Sequence, residues 1–368
     1  MKKQFLALIL GLSFSGMAQA QSDAKAQVSF VYPLGSSGIH SLSEVHNFSF
    51  NILVGLNGGL NGFELGSLLN YNNADVQGFQ VAGLSNINMG NLNGFQSAGL
   101  FNLNLGSNGA VIAGLGNLNL GKVDGINVAG LFNMASESRG IAIAGLSNLN
   151  LQKFQGIQMS GILNLARHME GFQIGMINRS RSLGSKENTG FQLGLVNIVD
   201  SASEGYSLGL INIVNKGYYA FELSSTEMLY GNLQFKMGVE KLYSFLSLGY
   251  GSFDEENTLG LGIGLGSLYN WNEKHGTALE FGFQHLRNDY DGLDNYAFWT
   301  SARLNYQYHL TKVWSLSGGL SFNHYRSDEF DEAHFARVNS ALELNSSVGP
   351  EAQQKAWIGF NLGIISRI

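Results

Sequence analysis

Gly78-Phe-Gln-Val-Ala-Gly-Leu-Ser-Asn86 is the stretch that decides the predicted fold, because close copies of it recur along the chain. Full copies of this unit, approximately G-x-Q-x-A-G-L-x-N, begin at Gly94, Gly109, Gly125, Gly140 and Gly156. Versions that lack one residue before the second glycine begin at Gly171, Gly190 and Gly205. Self-similarity at a fixed spacing indicates one structural unit used many times.

Apolar and polar residues alternate within each unit. In the first unit Phe79, Val81 and Ile87 fall on one face, whereas Gln80 and Asn86 fall on the other. A period of two residues is typical of a β-strand with one apolar and one polar face. The six full units therefore predict six strands, each with one apolar and one polar face.

The spacing of the units predicts how neighbouring strands run. Units are 15 or 16 residues apart, and about eleven residues of each alternate without a break, covering ~36 Å. The remaining five residues span at most ~18 Å, which is too short for a parallel return if the alternation is one strand. From Gly94 the spacings run 15, 16, 15, 16, 15, as in hairpins with two unlike ends. We therefore expect antiparallel neighbours.

From about Tyr218 the repeat fades, but the alternation continues. Leu233 and Phe235 oppose Gln234 and Lys236, and apolar faces of about ten residues have Tyr or Trp near their ends, as in outer-membrane barrels. Connections are predicted to be short near Lys241, at Asn272 to His275 and at Thr311-Lys312. Longer ones are predicted at Ser252 to Thr258, Arg287 to Asn295 and Ser327 to Gln354.

The N-terminus has the three parts of a secretory signal peptide. Lys2 and Lys3 precede the apolar run Phe5 to Phe14, and cleavage after Ala20 would leave Gln21 as the new terminus. Loss of the two lysines changes the formal net charge from −6 to −8, which argues against nucleic acid or anionic lipid as a partner. The absence of cysteine excludes a lipidation cysteine, disulfides and thiolate metal sites.

These features predict an all-β protein. We expect residues 1–20 to be a signal peptide and residues 21–368 to form a single domain, an antiparallel up-and-down transmembrane β-barrel of about 18–20 strands. Tandem repeats would occupy residues 48–215 and non-repeat strands residues 216–368. A soluble, secreted β-sandwich is the alternative, because period-two alternation suits a protein core as well as lipid.

The repeat units resemble those of bacterial exported surface-repeat proteins, a group that is mostly uncharacterised. The resemblance covers roughly Phe48 to Asn215, and the C-terminal third resembles outer-membrane barrels as a class. It implies an exported protein of the cell surface and adds little about activity.

Residues of the polar faces are the candidate lumen-lining groups. Glu280 is expected to lie opposite Arg303 and to form an inward ion pair. The Gln and Asn side chains of the repeats would either bind uncharged polar solutes or hydrogen-bond to each other. The charged side chains would either filter solutes or stabilise the barrel wall. The candidates are Gln80, Gln96, Gln158, Asn86, Asn102, Asn117, Asn133, Asn148, Lys236, Glu240, Glu280, Arg303 and His309.

Two kinds of catalytic motif are absent from the sequence. It has no P-loop and no metal-spaced His pair, and Asp289 to Asp294 lacks the ligand spacing of an EF-hand. We therefore expect no enzymatic activity, no cofactor and no metal.

The predicted function is a porin-like passive channel for small polar solutes in the outer membrane. Its partners would be outer-membrane lipids and the barrel assembly machinery, and not nucleic acid. The alternative is a structural or surface-display protein with a closed lumen, whose loops contact an unknown partner.

Overall fold

The computed structural model describes residues 25–202, 204–253, 256–288, 297–327, 342–348 and 353–368. The predicted signal peptide, the acidic loop at residues 289–294 and most of the Ser327 to Gln354 connection lie outside these residues. The fold is all-β, and a boundary between two compact units falls between Leu151 and Gln152. Across the described ranges, no helix is both long and apolar enough to cross a membrane.

The N-terminal unit is built from short strands that follow one another closely. β1 (Ala26–Val31) and β2 (Leu34–Gly35) precede a 3-10 helix (Gly38–Ser43) and β3 (Val45–Asn57). The strands that follow are β4 (Gly59–Gly66), β5 (Leu69–Asn72), β6 (Val76–Ala82), β7 (Ser85–Asn88), β8 (Asn91–Ala98), β9 (Phe101–Asn104), β10 (Gly106–Ala113), β11 (Gly116–Asn119), β12 (Lys122–Ala129), β13 (Phe132–Ala135), β14 (Glu137–Ala144) and β15 (Ser147–Ser160).

Each repeat forms one coil of a parallel β-solenoid. The long strand of one coil pairs in parallel with the long strand of the next, so that Gly94 of β8 lies beside Gly109 of β10. The short strands pair in the same way, with Asn102 of β9 beside Asn117 of β11. Equivalent residues of successive repeats therefore form straight rows.

The prediction of antiparallel neighbours is wrong for the repeats, because each alternating stretch is two strands. β8 ends at Ala98 and β9 begins at Phe101, with Gly99-Leu100 forming a corner between them. The corner stays hydrogen-bonded, since Leu100 N donates to Leu84 O of the preceding coil (2.8 Å). The return to the next coil is then made by the short strand and not by five residues of loop.

The alternating spacing of 15 and 16 residues has a similarly local cause. The turn from β7 to β8 has two residues, Met89-Gly90, whereas the turn from β9 to β10 has only Leu105. The next two turns repeat this difference with Leu120-Gly121 and Ser136. The two-unit period therefore comes from the alternating turn lengths within a solenoid and not from hairpins.

The C-terminal unit contains further parallel strands and then an antiparallel barrel. β16 (Leu163–Ile174), β17 (Ile177–Leu183), β18 (Gly190–Ala202) and β19 (Gly205–Val214) continue the coils in parallel register. The antiparallel strands are β20 (Tyr218–Thr226), β21 (Gly231–Val239), β22 (Leu242–Phe253), β23 (Glu256–Asn270), β24 (His275–Asn288), β25 (Ala297–His309), β26 (Trp314–Ser327), β27 (Glu343–Val348) and β28 (Gln353–Arg367).

Eight of these strands close into a barrel, because β28 pairs with β26 on one side and with β20 on the other. β27 pairs only with the Gln353 end of β28 and lies outside the closed ring. The antiparallel prediction is confirmed for this part of the chain, but the count of 18–20 barrel strands is wrong. The repeats contribute to a separate parallel sheet, so only eight strands remain for the barrel.

Three short connections lie at one end of the barrel, which we call the short-turn rim. They are Glu240-Lys241, residues 271–274 and residues 310–313, as predicted. The predicted longer connection at Ser252 to Thr258 is mostly strand, since β22 and β23 pair as far as Phe253 and Glu256.

Candidate functional site

An asparagine row runs through the interior of the N-terminal unit. Asn102 donates one amide hydrogen to Asn117 Oδ1 (2.9 Å) and another to the backbone Ile112 O (2.7 Å). The same side-chain bond of 2.9 Å links successive members of the row Asn51, Asn70, Asn86, Asn102, Asn117, Asn133 and Asn148. Each amide thereby joins two coils, and the amides from Asn70 onward also donate to a backbone carbonyl.

A second row begins with the buried carboxylate of Glu64. Its two oxygens accept hydrogen bonds from the amides of Asn51 (2.9 Å), Asn57 (2.6 Å), Asn72 (2.8 Å) and Gln80 (2.9 Å). Complete burial raises the pKa of Glu64 to about 7, and the amide donors partly offset this effect. The row continues from Gln80 to Gln96, whose Nε2 donates to Gln80 Oε1 (2.7 Å).

Similar rows occur in the coils of the C-terminal unit. Asn164, Asn178, Asn197 and Asn212 are linked by amide bonds of 2.8–3.0 Å. Gln173 and Gln192 form a corresponding row with Gln158. At the end of the asparagine row, Asn212 Nδ2 donates to Ser244 Oγ of β22 (2.8 Å).

The eight predicted glutamine and asparagine candidates are therefore buried inside solenoid coils and not around the lumen of a barrel. They are Gln80, Gln96, Gln158, Asn86, Asn102, Asn117, Asn133 and Asn148. The reason is the corner at each Gly-Leu pair, which folds the polar face of a repeat onto itself. Amide groups meet amide groups there, so these side chains serve each other as hydrogen-bond partners.

The barrel interior holds a buried group of four charges. Lys236 lies between Glu222 and Glu280, with its Nζ in contact with a carboxylate oxygen of each. Arg303 Nη2 lies 3.6 Å from Glu280 Oε2, and Tyr243 donates its hydroxyl hydrogen to Glu280 Oε1 (2.6 Å). Two carboxylates and two cations make the group neutral, which a low-dielectric interior requires.

The predicted pairing of Glu280 with Arg303 is confirmed, since the two residues are register partners on β24 and β25. The structure also brings Lys236 to this pair. It places Glu240 and His309 elsewhere, at the short-turn rim. There Asn270 donates to Glu240 (3.1 Å) and contacts His309 Nε2 (3.0 Å).

Apolar side chains close the barrel interior on both sides of the charged group. Towards the short-turn rim, the buried residues are Tyr218, Ala220, Tyr243, Phe245, Leu268, Ala278 and Ile365. Towards the other end, they are Met228, Leu229, Leu286, Trp299, Tyr325 and Trp357. Glu227 holds this second cluster in place by accepting hydrogen bonds from Trp357 Nε1 (2.6 Å) and Asn323 Nδ2 (2.9 Å).

Sequence reasoning missed Glu222, Tyr243 and Glu64. The alternation of Phe221 and Leu223 around Glu222 was a usable signal, because it places Glu222 on the same inward face as Lys236 and Glu280. Glu64 stands where later units have Gln80 and Gln96, and an alignment of the looser unit at Gly62 would have revealed it.

Within the ranges given above, no group of three His, Asp or Glu side chains is arranged to hold a metal ion. No protein-family model matches the chain, and no curated protein sequence matches it significantly.

Proposed function

We propose that this chain is an outer-membrane protein and that its eight-stranded barrel is a non-conducting anchor. The observation that carries the proposal is the filled barrel interior, in which the salt-bridged group of Lys236, Glu222, Glu280 and Arg303 lies between two apolar clusters. The structural alternative is thereby favoured over a porin-like channel.

The polarity of the barrel supports a bilayer location. Its inward face carries the buried charges, whereas its outward face carries aliphatic and aromatic side chains such as Leu261, which is 66% exposed. Near the short-turn rim, Tyr269, Trp271 and Trp314 are at least half exposed. An apolar band with aromatic residues at its edge is typical of outer-membrane barrels.

The number of strands supports an anchor. A barrel of eight strands is just wide enough for its own side chains to fill the interior, whereas barrels with an aqueous channel usually have 16 or more. The channel hypothesis depended on the larger count. With eight strands and a neutral, salt-bridged group at its centre, the wall is stabilised from inside.

Export through a signal peptide, insertion by the barrel assembly machinery and contact with outer-membrane lipids belong to the same proposal. The resemblance of the repeats to exported surface-repeat proteins supports a structural role in the cell envelope. In this role the barrel holds the protein in the membrane.

Two leucines of equal exposure test the bilayer location. Leu320 is 52% exposed at the middle of β26, and Leu310 is 54% exposed at the short-turn rim. In a bilayer, Leu320→Arg should lower the free energy of unfolding by ~2–4 kcal/mol and Leu310→Arg by only ~0–1 kcal/mol. The measurement is the denaturant midpoint of folded, heat-modifiable protein in lipid vesicles. Equal effects of the two changes would show that the wall faces water.

Conductance tests the anchor against the channel. Folded full-length protein, verified by its heat-modifiable gel migration, should insert into planar bilayers without producing discrete conductance steps. Reproducible steps, altered in ion selectivity by Arg303→Gln, would overturn the anchor proposal and restore the channel.

A further inference from the structure

The last solenoid coil of the C-terminal unit reaches from the short-turn rim to the middle of the barrel wall. At its start, Gly205 and Tyr206 line a cleft of about 540 Å³ together with Lys241, Lys312 and Arg367 of the rim. Five residues after Gly205, the corner residue Leu210 lines a second groove, of about 640 Å³, beside residues at the middle of β23 and β24. Five residues of strand cover ~17 Å.

The second groove is apolar on both sides. The solenoid contributes Leu193, Leu195, Leu208 and Leu210, and the outer face of the barrel contributes Ile263, Leu265, Phe281 and Phe283. The apolar surface of the barrel therefore continues directly onto the apolar surface of the coils. Acyl chains that cover the barrel wall at this height would cover the flank and corner of the solenoid as well.

The N-terminal unit has the same inverted polarity. Its interior holds the asparagine and glutamine rows beside a small apolar cluster that includes Leu60 and Leu92, while its exterior presents residues such as Phe79, which is 54% exposed, and Ile126. The corners form a row of exposed leucines that includes Leu84, Leu100, Leu131 and Leu146. Contiguous apolar surface of this extent is rare on soluble monomers and marks a surface that is covered in use.

In the coils of residues 76–151, charge is confined to the edge opposite these leucines. Residues 76–151 contain only four charged side chains, Lys122, Asp124, Glu137 and Arg139. All four lie within the first three residues of a long strand, beside the turns between coils, and Asp124 pairs with Lys122 (2.8 Å) and Arg139 (3.1 Å). We call this border the charged edge and the opposite border the leucine edge.

The distance between the two edges matches one leaflet. Asp124 to Ala129 is five residues of strand, or ~17 Å, and half of a bilayer's hydrocarbon core is ~15 Å. Backbone groups at the leucine edge are also satisfied, as lipid requires, since Leu100 N and Leu131 N donate to carbonyls of the preceding coils at 2.8 Å.

We propose that the coils of residues 76–151 are inserted, leucine edge first, into one leaflet of the bilayer that holds the barrel. The acyl chains of that leaflet cover the apolar faces of these coils, and the charged edge lies among the headgroups. The inference rests on the proposed function, because the barrel defines the plane of the bilayer. Each of these coils then displaces lipid from one leaflet only.

Single-cysteine probes test this inference, because the chain has no cysteine of its own. Full-length variants Leu84→Cys and Leu146→Cys place a small fluorophore on the leucine edge, Lys122→Cys places it on the charged edge, and Leu320→Cys places it on the barrel wall. Each labelled protein is reconstituted in phosphatidylcholine vesicles with either a nitroxide lipid or aqueous iodide as quencher. Heat-modifiable migration of each variant verifies that it is folded.

We expect the Leu84→Cys and Leu146→Cys probes to behave like the Leu320→Cys probe. Nitroxide near the end of the acyl chain should quench them, and iodide should quench them several-fold less than the Lys122→Cys probe. Lipid quenching at Leu320→Cys together with full iodide quenching at the leucine edge would overturn the inference and leave the anchor intact. Protection from both quenchers would also overturn it, since a second protein surface would then cover the edge. Iodide quenching at all positions would refute the anchor itself.

Discussion

Gln80 donates its side-chain Nε2 hydrogen to Glu64 Oε2 across 2.9 Å, and the two residues are register partners in neighbouring coils. Glu64 is thus the first member of a row that continues with Gln80 and Gln96. It places one ionisable group inside an otherwise neutral amide core. The burial of this carboxyl group determines how the stability of the solenoid should depend on pH.

The pKa of Glu64, about 7 in the folded protein, exceeds the value of 4.5 expected for an unburied glutamate. Between these two values the folded state binds more protons than the unfolded state, so the free energy of unfolding should fall as pH rises and level off above about pH 7. The total loss is on the order of 3 kcal/mol. Urea unfolding in detergent, followed by circular dichroism at about pH 5 and about pH 8, measures it.

Glu64→Gln is the matched variant, because glutamine is the native residue at the equivalent place in the following coils. It should remove most of the slope between the two pH values while keeping the hydrogen-bonded row. An unchanged slope in the variant would mean that other groups cause the pH dependence.

The asparagine row should be the most sensitive polar part of the solenoid. Asn102→Ala removes the hydrogen bonds to Ile112 O, Asn117 Oδ1 and Asn86 Nδ2, and a buried group left unsatisfied costs ~1–3 kcal/mol. Asn93→Ala, at an exposed position of the same coil, should change the free energy of unfolding by less than ~0.5 kcal/mol. Denaturant midpoints of the two variants give the comparison, and similar midpoints would contradict a structural role for the row.

The first glycine of each repeat should be irreplaceable. Gly109 has a φ of +133°, and a Cβ at this position would lie 1.9 Å from Gly94 O in the preceding coil. Gly109→Ala should therefore separate the two coils and strongly reduce the yield of folded protein. Gly231→Ala, where a Cβ meets nothing within 4 Å, is the control. Protease resistance and circular dichroism measure the folding of both variants. Normal folding of Gly109→Ala would refute the close approach of Gly109 to Gly94 in the preceding coil.

Loss of Lys236 from the charged group should destabilise the barrel, and the additional loss of one of its carboxylate partners should restore part of that stability. Lys236→Met leaves Glu222 and Glu280 buried without their shared cation, which should destabilise the barrel by ~3–5 kcal/mol. Adding Glu222→Gln removes one of the two unpaired charges, while Arg303 still faces Glu280. The double variant should recover part of the loss in heat-modifiable gel assays; a double variant less stable than Lys236→Met would argue against coupling through the lysine.

Local sequence determined the face on which each strand residue lies. Alternation identified the inward side of Gln234 and Lys236, the short turns of the barrel and the pairing of Glu280 with Arg303, because a strand's two-residue period and the reach of a short turn are local properties. The same alternation placed Gln80, Asn86 and Asn102 in a polar interior.

Only the tertiary structure decided whether this polar interior is the core of a solenoid or the lumen of a barrel. Alternation continues in phase through the Gly99-Leu100 corner, so the local pattern does not distinguish one long strand from two short ones. Leu100, an apolar residue on an otherwise polar face, was the mark of that corner. Parallel stacking then depends on contacts between residues 15 or 16 positions apart, where Gly94 meets Gly109 and Asn102 meets Asn117. The sequence by itself specified the rows of side chains, whereas packing between coils decided that the rows form a solenoid and left eight strands to close the barrel.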